Sequence, residues 1–204
     1  MARRSDHSRE QLKDLILDKA WEIVGHEGIE SLTARRLATE IGYVPGTIYN
    51  IFRSMDELRL AIAGRTLDTL YGVLNSPECN DPDKSPIENM KAMAMLYMKF
   101  AAEKRPYWLM LFSPTLPETR AEEEWYQAKI NHLFEPLGHL LEPLFPDTER
   151  KKAHMAARVL WASVHGLCFL QETGKMGVVG DRAGLHSMVS LLIDTFVAGL
   201  QKNV

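Results

Sequence analysis

The chain has 204 residues, 46% of them hydrophobic and 25% charged, and a net charge of −3. That length suits one compact domain or two small ones with a real core, and the charge excludes a polycation that would hold nucleic acid by bulk electrostatics. The two cysteines, Cys79 and Cys168, form no C-x-x-C pair, so neither a disulfide framework nor a metal site is expected. The N-terminus has charge without an apolar run, and no stretch is apolar for long enough to span a bilayer, so no membrane partner and a reducing cytoplasm are expected.

Apolar residues recur at helical spacing along the chain, and no segment asks to be a strand. Over residues 8–26, Leu12, Leu15, Ile16, Ala20, Ile23 and Val24 form one apolar face; Ser8 can cap the start and Gly28 ends the element. Thr33 can cap a second helix, with Leu37, Ala38 and Ile41 inward, and Gly42 stops it. Pro45 suits the first turn of a third helix, where its missing N–H needs no partner; Ile48, Ile51 and Phe52 form its inner face. Ser54-x-x-Glu57 is a capping-box pattern opening a fourth helix through Leu58, Ile62, Leu67, Leu70 and Leu74.

Residues 75–86 carry three prolines and read as a loop. Residues 86–103 return to helix, with Met90, Met93, Ala94, Tyr97 and Phe100 or Ala101 on one side. Arg105-Pro106 is expected to break it, and residues 107–112 to make a short helix buried nearly all round. Pro114 and Pro117 bound another loop. Residues 118–145 form a helical region that Pro136 and Pro143 kink or split. A long helix follows over 147–172; Gly174, Gly177, Gly180 and Gly184 mark a connection, and residues 185–201 close the chain. The expected fold class is all-α with about nine helices.

The stretch from Thr33 to Arg59 therefore reads as two short helices joined by a glycine turn, a unit that can push one helix into the major groove of DNA. Residues 1–65 hold ten Lys/Arg and ten Asp/Glu, so any basic footprint must come from local placement of Arg3, Arg4, Arg9, Arg35, Arg36 and Arg53. The first three form either an arm on the DNA backbone or a solvated tail. Tyr43, in the turn, faces DNA or packs over the first helix.

Gly28-Ile-Glu-Ser-Leu-Thr33, Ala34-Arg-Arg-Leu-Ala38, Gly42, Gly46-Thr-Ile-Tyr49, and Phe52 ahead of Ser54-x-x-Glu57-Leu58 together resemble the TetR family of transcriptional regulators over roughly residues 10–60. Trp161-x-x-x-His165-Gly166 is similar to a motif of one group of its C-terminal domains. The resemblance implies a helix-turn-helix DNA-binding domain over 8–54 and a ligand-binding and dimerisation domain over 55–204. It puts Arg35, Pro45, Gly46, Thr47, Tyr49 and Asn50 where the family faces DNA. Their chemistry agrees. Gly46 removes bulk at the helix start, Thr47 and Tyr49 offer hydroxyls to phosphate, Asn50 can pair with adenine, and Arg35 can reach guanine or phosphate. Two positions depart from the pattern: Met55 replaces a usual phosphate-holding Lys, and Val44 a usual cap. Arg53 is the candidate to supply the lost phosphate contact.

In the longer part, Met93, Tyr97, Phe100, Trp108, Phe112, Trp125, Trp161 and His165 are candidate ligand-binding residues, since soft Met and flat aromatics suit apolar molecules; the same residues also serve as core. His165 either bonds a ligand or is satisfied by the backbone. No Ser/His/Asp set, phosphate loop or metal cluster suggests an enzyme, and no cofactor is expected. The resemblance implies a homodimer through the last two long helices, and a repressor released from a pseudo-palindromic operator by a small, largely apolar effector. A helical small-molecule-binding protein or enzyme without DNA affinity is the alternative.

Overall fold

A computed structural model describes residues 7–114, 116, 123–179 and 184–202. Ten α-helices run through these residues: α1 (Arg9–Glu27), α2 (Ala34–Glu40), α3 (Pro45–Ile51), α4 (Met55–Leu74), α5 (Pro86–Glu103), α6 (Arg105–Met110), α7 (Glu124–Leu141), α8 (Lys151–Glu172), α9 (Met176–Val179) and α10 (Leu185–Lys202). Single 3-10 turns sit at Ile29–Ser31, Pro77–Cys79, Glu142–Leu144 and Asp147–Glu149. No strand occurs among the described residues, and no helix there is long and apolar enough to cross a membrane.

Local chemistry sets the helix ends. The Ser8 hydroxyl accepts from the Gln11 N–H while Gln11 accepts from the Ser8 N–H, a reciprocal box that opens α1. Gly28, at φ +83°, turns the chain out of it. Thr33 caps α2 by accepting from Arg36 N–H. The exit from α2 needs Gly42 at φ +74°: its N–H donates to the Thr39 carbonyl and that of Tyr43 to Ala38, a paired closure only a left-handed residue permits cheaply. At α4, Glu57 N–H donates to the Ser54 hydroxyl, but the Glu57 carboxylate accepts from Arg53 N–H, one residue earlier than the expected box. Ser85 and Glu88 form a full box at α5.

Arg105-Pro106 does not merely end α5. The two residues open α6, because proline fits a first helical turn as readily as it ends a preceding helix. The short helix buries Tyr107, Trp108 and Met110, whereas Phe112 lies beyond its end and is 39% exposed. Pro136 lies inside α7, and Pro143 opens a separate 3-10 turn, so the helical region is split at Leu141. The expected long helix from 147 begins as a 3-10 turn and becomes α8 at Lys151. The glycine-marked connection contains the four-residue α9; Gly180 and Pro117, like Arg3 and Arg4, lie outside the described residues.

The chain forms two compact units. One comprises Met1–Thr66 and Pro106–Gln127, the other Leu67–Arg105 and Ala128–Val204. They cut the chain differently from 8–54 and 55–204, because the first half of α4, through Thr66, and the segment Pro106–Gln127 belong to the first unit. In the first, α1 packs on α2 and α3 around Ile16, Ala20, Leu37, Ala38, Ile48 and Phe52. Tyr107 docks on α1 beside Gly25: its hydroxyl donates to the Trp21 carbonyl at 2.9 Å and its ring stacks on Trp21 at 4.0 Å. Arg65 lies over the Trp21 ring and pairs with Asp18. In the second unit, α5, α8 and α10 pack on one another around Met90, Leu160, Val164, Val189 and Ile193.

Candidate functional site

The α2–α3 pair is held from below and open above. Ile48 and Phe52 are buried, which fixes the inner side of α3. On the other side Pro45, Gly46, Asn50 and Arg53 are exposed, with Thr47 partly so. Val44 and Tyr49 are 67% and 50% exposed, an unusual allowance for apolar bulk on so short a helix. Val44 caps α3 with no side-chain bond; Pro45 has no N–H to satisfy, and the Thr47 N–H donates to the Val44 carbonyl at 2.9 Å. A Cβ at Gly46 would meet nothing within 4 Å, so the room this glycine leaves opens outward rather than into the fold.

The adjacent arginines of α2 divide their work. Arg36 reaches back to Glu27 at the end of α1 through a two-pronged ion pair and lies 4.0 Å from Glu40. The Arg36 hydrogen bonds hold the Glu27 carboxyl below the usual carboxylate range, and Arg36 is raised in turn. Its charge thus helps tie α2 to α1. Arg35 is exposed and has no ion-pair partner among the described residues; its carbonyl accepts from the Thr39 hydroxyl. Nor has Arg53, whose own N–H is held by Glu57. The sequence offers both Arg35 and Arg36 as local cations, and only the resemblance sets Arg35 toward DNA. The separating signal is Glu27, nine positions back, and only the fold brings it near. Tyr43 neither points freely outward nor simply covers α1: its hydroxyl lies 2.8 Å from Nδ1 of His7, just ahead of α1.

The second unit holds a partly open apolar cavity of about 40 Å³. Its walls come from Leu74 of α4, Met90, Met93 and Tyr97 of α5, Phe134 of α7, Trp161 of α8 and Ile193 of α10, among others. That volume has room for one or two waters; a drug-sized guest needs several hundred Å³, so the walls must part to take one. At its edge the Tyr97 hydroxyl lies 2.8 Å from Nδ1 of His165. His165 stacks on Trp161 at 5.0 Å, and Phe134 meets Trp161 edge-on at 5.3 Å. Desolvation pushes the His165 pKa below its ordinary value, so the ring is neutral near pH 7.

Of the eight candidate ligand residues, Met93, Tyr97 and Trp161 line this cavity and His165 adjoins it. Phe100 faces a separate open groove beside Leu96 and Lys99. Trp108, Phe112 and Trp125 belong to the other compact unit: Trp108 is fully buried there, Phe112 meets it edge-on, and Trp125 is partly exposed. Of the cavity's aliphatic walls, Leu74 reads in the sequence as the inner face of the fourth helix, whereas Leu160 and Ile193 carry no signal there.

A third feature lies on the last two long helices. Met155, Val159 and Phe169 on α8 are exposed at helical spacing, Met155 at 69%, and Leu191 on α10 is 64% exposed. Next to them Leu167, Met188, Leu191 and Leu192 line an open, mostly apolar groove. Together they form an uncovered apolar stripe along α8 and α10.

Residues 16–62 match the model of bacterial regulatory proteins of the tetR family, and residues 90–196 match the Tetracyclin repressor-like C-terminal domain. An uncharacterised HTH-type transcriptional regulator of Mycobacterium tuberculosis is 27% identical over 202 residues, covering 99% of this chain and 85% of that protein. A Rhodococcus sp. RHA1 protein of unknown function superposes with a TM-score of 0.70 at 20% identity, covering 98% of this chain and 100% of the other. The multidrug binding protein EbrR, solved with imidazole, superposes with a TM-score of 0.60 at 19% identity over 90% of this chain and 93% of the other.

Proposed function

The chain belongs to the TetR family of bacterial regulatory proteins, which are DNA-binding transcriptional regulators, and from that premise we propose a repressor released from a pseudo-palindromic operator by a small, largely apolar effector. The observation that carries the DNA half is the outward face of α3 with Arg35: exposed, uncapped, and free of the ion pairs that occupy Arg36. In this reading residues 8–54 form the DNA-binding domain. Asn50 and Arg35 read bases, while Thr47, Tyr49 and Arg53 hold phosphates, and Gly46 lets the helix start come close to the backbone. Residues 55–204 bind the effector and dimerise.

The apolar stripe on α8 and α10 supports a homodimer, in which two copies bury these faces as a four-helix bundle and set the half-site spacing. The cavity beside Tyr97 and His165 supports the effector half. A molecule that enters it must part the walls, so it binds better to a conformer other than this one. That difference in affinity is what can shift an equilibrium away from the DNA-competent state.

Selection of bound fragments from a random duplex library, followed by anisotropy titration on the winning sequence, tests the DNA reading. The expected result is an inverted repeat, bound more weakly by about tenfold or more on Asn50→Ala. Arg53→Ala lowers affinity on all sequences and reduces the salt slope by about one. Failure to enrich any sequence, with no binding even at low salt, would return the chain to a helical ligand-binding role.

A further inference from the structure

Among the side chains that line the cavity of the second unit, only Tyr97 and Trp161 bear nitrogen or oxygen, and none is acidic or basic. An ion placed there loses its hydration with no opposite charge to replace it, a heavy penalty for either sign. His165 does not change this near pH 7, because burial keeps it neutral. Besides the Trp161 indole N–H, the polar feature at the apolar wall is the 2.8 Å contact between the Tyr97 hydroxyl and Nδ1 of His165. Tyr97 is buried and lines the cavity, so a guest that offers oxygen to this pair keeps it hydrogen-bonded while the walls part. The Tyr97 oxygen both donates and accepts, so an oxygen-bearing guest adds a hydrogen bond in a desolvated site that a plain hydrocarbon does not make. Size also selects. From about 40 Å³ the cavity must grow, and the side chains able to yield most easily are Met90 and Met93, unbranched and rotatable. A flat guest requires the smallest displacement of the rest.

We propose that this cavity selects an uncharged, flat, hydrocarbon-rich effector with one hydroxyl or carbonyl oxygen, received at the Tyr97–His165 hydrogen bond. The inference rests on reading the cavity as the effector site. It excludes cationic dyes and carboxylates alike, and it assigns Tyr97 as the residue that distinguishes an oxygen-bearing guest from a plain hydrocarbon.

Isothermal titration of the full-length protein at about pH 7.5, where histidine at or below its ordinary pKa is neutral, tests it with four probes of similar shape: 1-naphthol, naphthalene, 1-naphthoate and proflavin. Naphthol is expected to bind about 10-fold more tightly than naphthalene, as one desolvated hydrogen bond allows. Naphthoate and proflavin are expected to bind roughly 100-fold more weakly than naphthol, or not at all. Tyr97→Phe should bring naphthol down to the naphthalene value and leave naphthalene unchanged. Leu133→Trp, which fills the cavity from α7, should remove both. The proposal is overturned if a charged probe binds best, if naphthol does not bind, or if it binds no better than naphthalene. It is equally overturned if Leu133→Trp leaves binding intact, or if folded Tyr97→Phe keeps the wild-type preference. Should Tyr97→Phe fail to fold, the wild-type ranking and Leu133→Trp still decide. Operator release is read separately. Naphthol binding without release leaves the cavity's selectivity standing and removes its regulatory role; release by proflavin or naphthoate alone keeps that role and removes the selectivity.

Discussion

Replacing Gly25 by alanine tests how α6 is fastened to α1. A Cβ at Gly25 would fall inside contact distance of the Tyr107 hydroxyl and 2.9 Å from its Cζ. Tyr107 cannot simply swing away: its ring stacks on Trp21 at 4.0 Å, and its hydroxyl donates to the Trp21 carbonyl. Moving the ring gives up that hydrogen bond, about 1 kcal/mol, and much of the aromatic contact, about another 1 kcal/mol. Residual overpacking adds about 1–3 kcal/mol. Alanine's better helix propensity returns at most about 1 kcal/mol. The net is a loss of about 2–4 kcal/mol, or a melting temperature lower by roughly 4–16 °C for a chain of this size. The control is Gly72→Ala in α4, where a Cβ meets nothing within 4 Å; there only propensity acts, and stability should rise by about 0.5–1 kcal/mol. Melting curves at one fixed protein concentration compare the two. If Gly25→Ala melts at or above the wild type, the packing argument for Tyr107 is wrong.

The two arginines of α2 should separate by assay: Arg35→Ala weakens operator binding about tenfold or more with unchanged melting, whereas Arg36→Ala frees Glu27 and lowers the melting temperature slightly, with a smaller effect on the salt dependence of binding. Equal loss of DNA affinity in both would contradict the division drawn between them. His165 makes stability depend on pH. Its folded pKa lies below the ordinary 6.5, so the unfolded chain takes up the proton first. Its contribution is complete above pH 6.5 and erodes as pH falls below it, toward the lowered folded value. His165→Gln should flatten that part of the melting-temperature profile, and parallel profiles would refute the assignment. Burial pushes the Cys168 thiol up to about 12, and raises Cys79 as well. Both should therefore ignore an aromatic disulfide reagent in the native state and react on unfolding; fast native labelling at either would show that the site opens.

Much of the helical framework was legible because its signals are local. Ser8, Gly28, Thr33, Gly42 and Pro45 act within one helical turn of themselves, and each stands at the boundary its chemistry predicts. The same holds for the buried series Leu58, Ile62, Leu67, Leu70 and Leu74, which spacing alone puts on one face. Where two local meanings compete, sequence cannot choose: Arg105-Pro106 can end one helix or begin another, and here it begins α6. The sorting of aromatics is a different problem. Trp108 and Trp161 have similar neighbours in sequence, yet one is sealed in the first unit and the other lines the cavity of the second. Which aromatic rings meet depends on contacts among helices far apart in the chain, and periodicity carries no record of those. Arg36 is the same case in miniature, since its role depends on Glu27 from another helix.

The pairing of charges inside the first unit reaches beyond stability. Arg36 with Glu27, Arg59 with Asp56, Arg65 with Asp18 and Lys19 with Glu22 each cancel a cation that a groove-binding head could have turned on phosphates. Among the described residues this leaves Arg9, Lys13, Arg35 and Arg53 without an ion pair, so in the proposed regulator the head has fewer counterions to release on random duplex than its ten Lys/Arg over residues 1–65 would suggest. The chromosome then acts as a poor sink, and few molecules are sequestered away from the true target. For the regulator proposed above, that corresponds to control of a promoter from a small intracellular pool. Reversing a single pair, such as Glu22 to lysine, would raise the copy number needed even if contact with the target itself improved.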